Sequence, residues 1–211
     1  MKLYIIFLIV IMVSGACAGE TSNSKGSNMQ VNTNTESIVL GGGCFWCIEA
    51  VFLSIEGVVS AESGYTGGTT QNPTYNEVCS GNTGHAEVVK ITFNKDIISI
   101  EEIFGIFFTA HDPTTLNRQG ADVGTQYRSA VFYTNDEQKS AATNYIKLLN
   151  EENVYSDPIV TEVSKLVTFY PAEEYHNDYY FNNKNQSYCR FVINPKLEKV
   201  KSKFSSKIKQ R

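Results

Sequence analysis

Two cysteines, Cys44 and Cys47, follow directly on three glycines in the stretch Gly41-Gly42-Gly43-Cys44-Phe45-Trp46-Cys47. Ser37-Ile38-Val39-Leu40 ahead of them reads as a strand and Cys44 to Leu53 as a helix, with the glycines permitting a sharp turn between. Cys44 therefore falls at or near the first turn of a helix. Unpaired amides and the positive dipole end favour a thiolate there, which predicts a lowered pKa and a nucleophile. Cys47 lies one turn on, on the same side. A structural zinc site needs four ligands, and beyond this pair only the isolated Cys79 and Cys189 and three scattered histidines remain. The pair is read as redox chemistry, with no metal.

Phe45 and Trp46 beside such a nucleophile are either core residues or the walls of a pocket for an apolar methyl group. Glu87, in Gly84-His85-Ala86-Glu87, opens a strand that continues through Val88, Val89 and Ile91. It is either a solvent-facing strand residue or a partly buried acid with a raised pKa, able to donate a proton at neutral pH. Tyr75 in Asn72-Pro73-Thr74-Tyr75 and Tyr127 in Thr125-Gln126-Tyr127-Arg128 lie in stretches rich in turn residues and read as loop positions. Taken singly, each tyrosine fits a packing role.

Positioning these groups requires further elements. Val58 to Tyr65 reads as a second strand, and Ala86 to Phe93 as a third with Glu87 and Val89 pointing one way and Val88 and Lys90 the other. Ser99 opens a helix whose apolar positions Ile103, Phe104, Phe107 and Phe108 make one face, with Pro113 limiting its end. Ser129 to Tyr133 reads as a fourth strand, and Asn135 caps a helix to about Glu151. The Lys-rich tail from Lys196 reads as a solvated helix face. The pattern predicts an α+β or mixed α/β fold, a two-layer sandwich with a mixed central sheet flanked by helices around a ferredoxin-like core.

The 211 residues carry a net charge of −4, which removes the electrostatic basis for nucleic-acid binding. At 42% hydrophobic and 19% charged the chain has ample material for a packed core. Five cysteines in this length do not form a disulfide scaffold of the small secreted kind. There is no phosphate loop and no dinucleotide fingerprint, so no flavin, nicotinamide or other cofactor is implied. Residues 1–18 read as a secretory signal: Met1-Lys2, an apolar run from Leu3 to Val13, then Ser14-Gly15-Ala16-Cys17-Ala18. The run is too short to span a bilayer, which takes roughly 20 residues. Cleavage after Ala18 competes with a lipoprotein reading in which Cys17 becomes the lipidated first residue. The polar stretch over 19–36 favours the second, as a flexible tether. Either predicts an exported protein, anchored in a membrane through Cys17 or free outside the cytoplasm, with one catalytic domain over 37–211.

Gly-Cys-Phe-Trp at 43–46, Ser-Gly-Tyr at 63–65, Asn-Pro-Thr-Tyr at 72–75, Gly-His-Ala-Glu at 84–87, Gly-Thr-Gln-Tyr-Arg-Ser at 124–129 and Glu-Tyr-His-Asn-Asp-Tyr at 174–179 resemble the A-type peptide methionine sulfoxide reductases. The resemblance runs from Val39 to about Phe204, in order and without a gap. It implies that Cys44 attacks the sulfoxide sulfur, that Phe45 and Trp46 cradle the methyl group, and that Glu87 protonates the oxygen with help from Tyr75 and Tyr127. Asp122 matches an acid near the substrate's amide. The family acts on the S epimer, free or in oxidised proteins, leaves a sulfenic acid on the nucleophile, and is reset through a disulfide by a thioredoxin-type dithiol. Cys189, in a polar stretch expected to be mobile enough to swing to Cys44, matches a recycling position and is favoured as the resolving thiol. Cys47, which matches other members, is the alternative, and a relay through both remains open. Cys79 reads as structural and the protein as a monomer. The rival enzyme reading is a thioredoxin-like disulfide oxidoreductase using Cys44 and Cys47; the non-enzyme rival is a metal-binding or adhesive surface module.

Overall fold

The computed structural model describes residues 34–210, so the signal at 1–18, the processing of Cys17 and the tether up to residue 33 lie outside the described residues. Along the chain come β1 (Thr35–Gly42), α1 (Phe45–Leu53), β2 (Val58–Thr66), α2 (Tyr75–Cys79), β3 (Ala86–Asn94) and α3 (Ile100–Ala110). They are followed by β4 (Arg118–Gln119), β5 (Asp122–Val123), β6 (Ser129–Tyr133), α4 (Asp136–Glu151), β7 (Glu162–Lys165), β8 (Tyr170–Pro171), α5 (Tyr179–Asn182) and α6 (Asn194–Lys203).

Six of these strands form one sheet in the order β7-β6-β1-β3-β2-β8. Within it β1, α1, β2, β3, α3 and β6 make a βαββαβ unit whose four strands lie in the spatial order β6-β1-β3-β2, all neighbours antiparallel. That is the ferredoxin-like core expected from the sequence. The parallel pairing of β7 with β6, reached through α4, makes the sheet mixed.

Strand alternation decides which residues face the helices. On β3, Glu87, Val89, Ile91 and Phe93 alternate with Ala86, Val88 and Lys90. Val89, Ile91 and Phe93 join the main core with Ile38 and Leu40 of β1, beneath Phe104 and Phe107 of α3 and Leu197 and Val200 of α6. The opposite face carries a smaller cluster, Val39, Ala86, Val88, Ala130 and Phe132, under Leu166 and Phe169. α1 is buried on nearly every side, from Phe45 through Phe52 apart from Trp46, as a helix without a polar face must be. Local capping matches the residues that predict it. Ser99 and Glu102 form a capping box on α3, and the Asn135 side chain accepts from Gln138 N on α4.

Three local expectations differ from the structure. Tyr75 is not in a loop: Thr74 and Glu77 form a capping box that starts a short helix at Tyr75, and Tyr127 ends a 3-10 turn over Thr125–Tyr127. Cys189 is buried rather than set in an open polar stretch. It is 0% exposed and begins a helical turn, Cys189–Ile193, of π geometry that runs into α6, because Ile193, Leu197 and Val200 bury that segment's apolar side. The short strands β4, β5, β7 and β8 escaped the sequence because two to four residues carry too little alternation.

Candidate active site

β1 delivers the chain to Gly43, whose φ of +87° turns the backbone towards α1. A Cβ added there would lie 2.5 Å from Gln119 Cγ, so the position is closed to side chains on both torsional and steric grounds. Gly43→Ala is expected to lower stability by roughly 1–3 kcal/mol, read from the denaturant midpoint at constant slope.

Cys44 is the N-cap of α1 and makes no side-chain capping hydrogen bond, so its sulfur is not spent on the helix. The first amide of that helix is capped from across the sheet instead: Phe45 N donates to Glu87 Oε2 at 3.1 Å. Glu87, 1% exposed, is paired across the ladder with Tyr65 of β2. It therefore stands within one residue of the Cys44 thiol, with Phe45 between sheet and helix. Burial pushes its pKa up to about 8, against the opposing pull of the Phe45 amide. The carboxyl is thus mostly protonated at pH 7.

The cysteine chemistry departs from the expectation of a resting Cys44 thiolate. Cys44 is 7% exposed, and burial pushes its thiol well above the usual cysteine range, reinforced by Cys47 and Glu87. Exclusion of water outweighs the helix dipole here because the nearest free amide is already taken by Glu87. Cys47 is the more acidic of the pair: a hydrogen bond from the Cys44 thiol brings it to about 7.

Aromatic rings close the site. The Phe45 ring stacks on Tyr75 with centroids 6.3 Å apart and tilts against Tyr65 and His176. Trp46 lies flat on Tyr179, 3.6 Å between centroids and 6° between planes, and its indole N–H donates to His176 Nδ1 at 3.0 Å. Burial raises the pKa of Tyr75 and Tyr127, and proximity to Glu87 raises both further, so both hydroxyls stay protonated. Glu173 ties the frame together, accepting from Tyr65 Oη at 2.9 Å and from Tyr75 N at 2.8 Å.

The structure thus brings Cys44, Phe45, Trp46, Cys47, Tyr75, Glu87 and Tyr127 into one cluster, with Trp46, Tyr75 and Tyr127 half-buried at its edge. Asp122 reaches it through Tyr188, whose hydroxyl donates to Asp122 Oδ2 at 2.7 Å and sits 4.0 Å from Cys47 Sγ. Cys189 lies close enough to Cys47 for the two to interact electrostatically, and burial raises its thiol pKa. Sequence reasoning gave no role to Glu173, His176, Tyr179 or Tyr188. The signal available was the aromatic-rich Glu174-Tyr175-His176-Asn177-Asp178-Tyr179 stretch, which holds one of only three histidines. Among the described residues no cluster of His, Cys, Asp and Glu could hold a metal ion.

Comparison with known proteins agrees with this geometry. A family profile described as peptide methionine sulfoxide reductase matches residues 36–208. The chain is 52% identical to the peptide methionine sulfoxide reductase MsrA of Natronomonas pharaonis over 177 residues, covering 84% of this chain and 99% of that protein. To the MsrA of Trichodesmium erythraeum it is 55% identical over 173 residues, 82% and 98% of the two chains. Among solved structures it resembles methionine sulfoxide reductase A of Corynebacterium diphtheriae with a TM-score of 0.68 and 35% identity, over 72% of this chain and 76% of that one. It also resembles reduced Mxr1 of Saccharomyces cerevisiae with a TM-score of 0.69 and 32% identity, over 74% and 90%.

Proposed function

From the premise that the chain belongs to the peptide methionine sulfoxide reductase family, and so reduces methionine (S)-sulfoxide to methionine, we propose how its own residues carry the reaction. Cys44 is the nucleophile. Phe45 and Trp46 hold the methyl group, and the sulfoxide oxygen lies towards Glu87, Tyr75 and Tyr127. A sulfoxide sulfur is a poor electrophile until its oxygen is protonated, and a neutral carboxylic acid supplies that proton at pH 7. Glu87 gives its proton to the oxygen, Cys44 attacks, and the Cys44 proton returns to Glu87. The oxygen passes to Cys44 as a sulfenic acid while the substrate sulfur gains two electrons and leaves as methionine. The observation that carries this reading is the Phe45 amide bond to the buried Glu87 carboxyl, whose pKa burial pushes up to about 8. Family membership sets aside the disulfide oxidoreductase alternative.

Recycling follows as a relay. Cys47, hydrogen-bonded to Cys44 and the more acidic thiol, condenses with the sulfenic acid, releasing water. Cys189 then attacks Cys47, freeing Cys44 and leaving a Cys47–Cys189 disulfide. A thioredoxin-type dithiol reduces that bond and is itself oxidised. Burial of Cys189 beside Cys47 favours this order over a direct Cys44–Cys189 step. The test is stoichiometry without reductant. The relay leaves Cys44 free to react once more, so the wild type is expected to yield about two methionines per chain, and Cys189→Ser or Cys47→Ser about one. One methionine from the wild type, with a mapped Cys44–Cys189 bond, rejects the relay. The N-terminal pattern further supports export with Cys17 as a lipid anchor, tested by N-terminal mass analysis of the mature protein.

A further inference from the structure

α1 carries a second buried acid that the chemistry above does not use. Glu49 is 1% exposed and lies three residues beyond Trp46, on the same stripe of the helix. Its Oε1 accepts from Asp178 N at 3.2 Å, the Tyr179 amide also donates to the carboxyl, and the Ser63 hydroxyl of β2 faces it. Oε2 has no partner of good geometry. Asp178 holds a left-handed backbone, φ 54°, which turns the chain sharply and which aspartate tolerates better than most side chains. The same turn presents His176, which accepts the Trp46 indole N–H, and Tyr179, on which that indole lies. The segment 176–179 is thus pinned to α1 at two points one helical turn apart, Trp46 and Glu49.

We propose that Glu49 is a positioning residue: it docks the 176–179 turn on α1 and thereby holds Trp46 as a wall of the substrate pocket. The inference rests on the reading that Trp46 cradles the substrate methyl. Two backbone amides of the turn, those of Asp178 and Tyr179, find their acceptor in this buried carboxyl. Burial brings Glu49 to about 7, with the neighbouring Asp178 carboxylate adding to the rise. Both protonation states retain Oε1 as the acceptor, and a glutamine amide oxygen does the same.

Trp46 is the only tryptophan in the chain, so its emission reports the contact without a label. In Glu49→Ala the emission is expected to shift to longer wavelength and acrylamide quenching to increase about twofold. In single-turnover methionine formation from a blocked peptide containing methionine (S)-sulfoxide, the half-saturating concentration should rise about tenfold, the effect of losing one or two hydrogen bonds to a buried carboxyl. The plateau rate should stay within about threefold of wild type, since no reacting group has moved out of the chain. Glu49→Gln should restore both emission and half-saturation. A purely structural role predicts a lower melting temperature with native emission and native half-saturation in Glu49→Ala, and that result overturns the proposal. So does a Glu49→Gln variant as impaired as Glu49→Ala. Should Glu49→Ala not fold, Glu49→Asp, one methylene too short to meet the turn, carries the same test. If Trp46→Ala leaves half-saturation unchanged while Glu49→Ala alters the emission, the docking stands and the methyl-pocket reading is what fails.

Discussion

Cys44→Ser is expected to form no methionine from either sulfoxide epimer, with dithiothreitol or without it, while unfolding close to wild type. The reaction needs an atom that both attacks sulfur and accepts oxygen, and a thiol does this by moving to the first rung of its oxidation ladder. A serine hydroxyl has no such rung. Its oxygen replaces sulfur at a position 7% exposed, where the side chain makes no capping bond to α1. The helix therefore loses nothing local, and the stability change should stay within roughly 1 kcal/mol. The burial that raises the Cys44 pKa also predicts slow alkylation of Cys44 by iodoacetamide at pH 7. Measurable methionine from Cys44→Ser, made at a rate above the uncatalysed background, removes Cys44 from its proposed role.

The second large effect is at Glu87. Glu87→Gln keeps the shape and an oxygen able to accept from the Phe45 amide, and loses only the transferable proton. Single-turnover methionine formation is expected to fall about 10²–10⁴-fold, the range for removing a general acid. In the wild type, kcat/KM should decline as pH rises through about 8, where the acid ionises, and this limb should vanish in the variant. Stability moves the other way. The folded-state pKa lies above the unfolded one, so the folded protein binds the proton more tightly. The cost of keeping Glu87 buried is absent at low pH and grows as pH climbs from the ordinary carboxylate range to about 8. Glu87→Gln should therefore melt with wild type near pH 4 and above it at pH 9, by a few kcal/mol on the order set by such a displacement. A variant that retains rate, or one destabilised at pH 9, contradicts the assignment of a buried neutral acid.

These two effects have one physical source. Packing Phe45 among Tyr65, Tyr75 and His176 excludes water from the space between β3 and the start of α1. Within that space burial raises the pKa of the Glu87 carboxyl and of the Cys44 thiol alike, so both favour their neutral forms.

Much of the site was legible in the chain alone because it is local. The strand, the glycine turn and the helix start that set Cys44 at the N-cap depend on residues within one helical turn of each other, as does the capping box at Ser99. The alternation of Glu87 and Val89 with Val88 already separated the two faces of β3. What lay beyond the sequence involves distance along the chain and the loss of solvent. The raised pKa of Glu87 and the upward displacement of Cys44 in place of the expected thiolate follow from burial, and the acidity of Cys47 from the hydrogen bond it takes from Cys44, which no short window of residues expresses. The partnerships of Trp46 with His176 and of Asp122 with Tyr188 join segments 130 and 66 residues apart. Cys189 reads as polar and mobile from its neighbours, yet its sulfur is sealed beside Cys47 because Ile193 and Leu197 anchor the following turns. Residue types and spacing determined which groups the fold brings together and the order of the elements that carry them. Only the tertiary structure decided their proton states and partners, because those are properties of the space that packing leaves between distant segments.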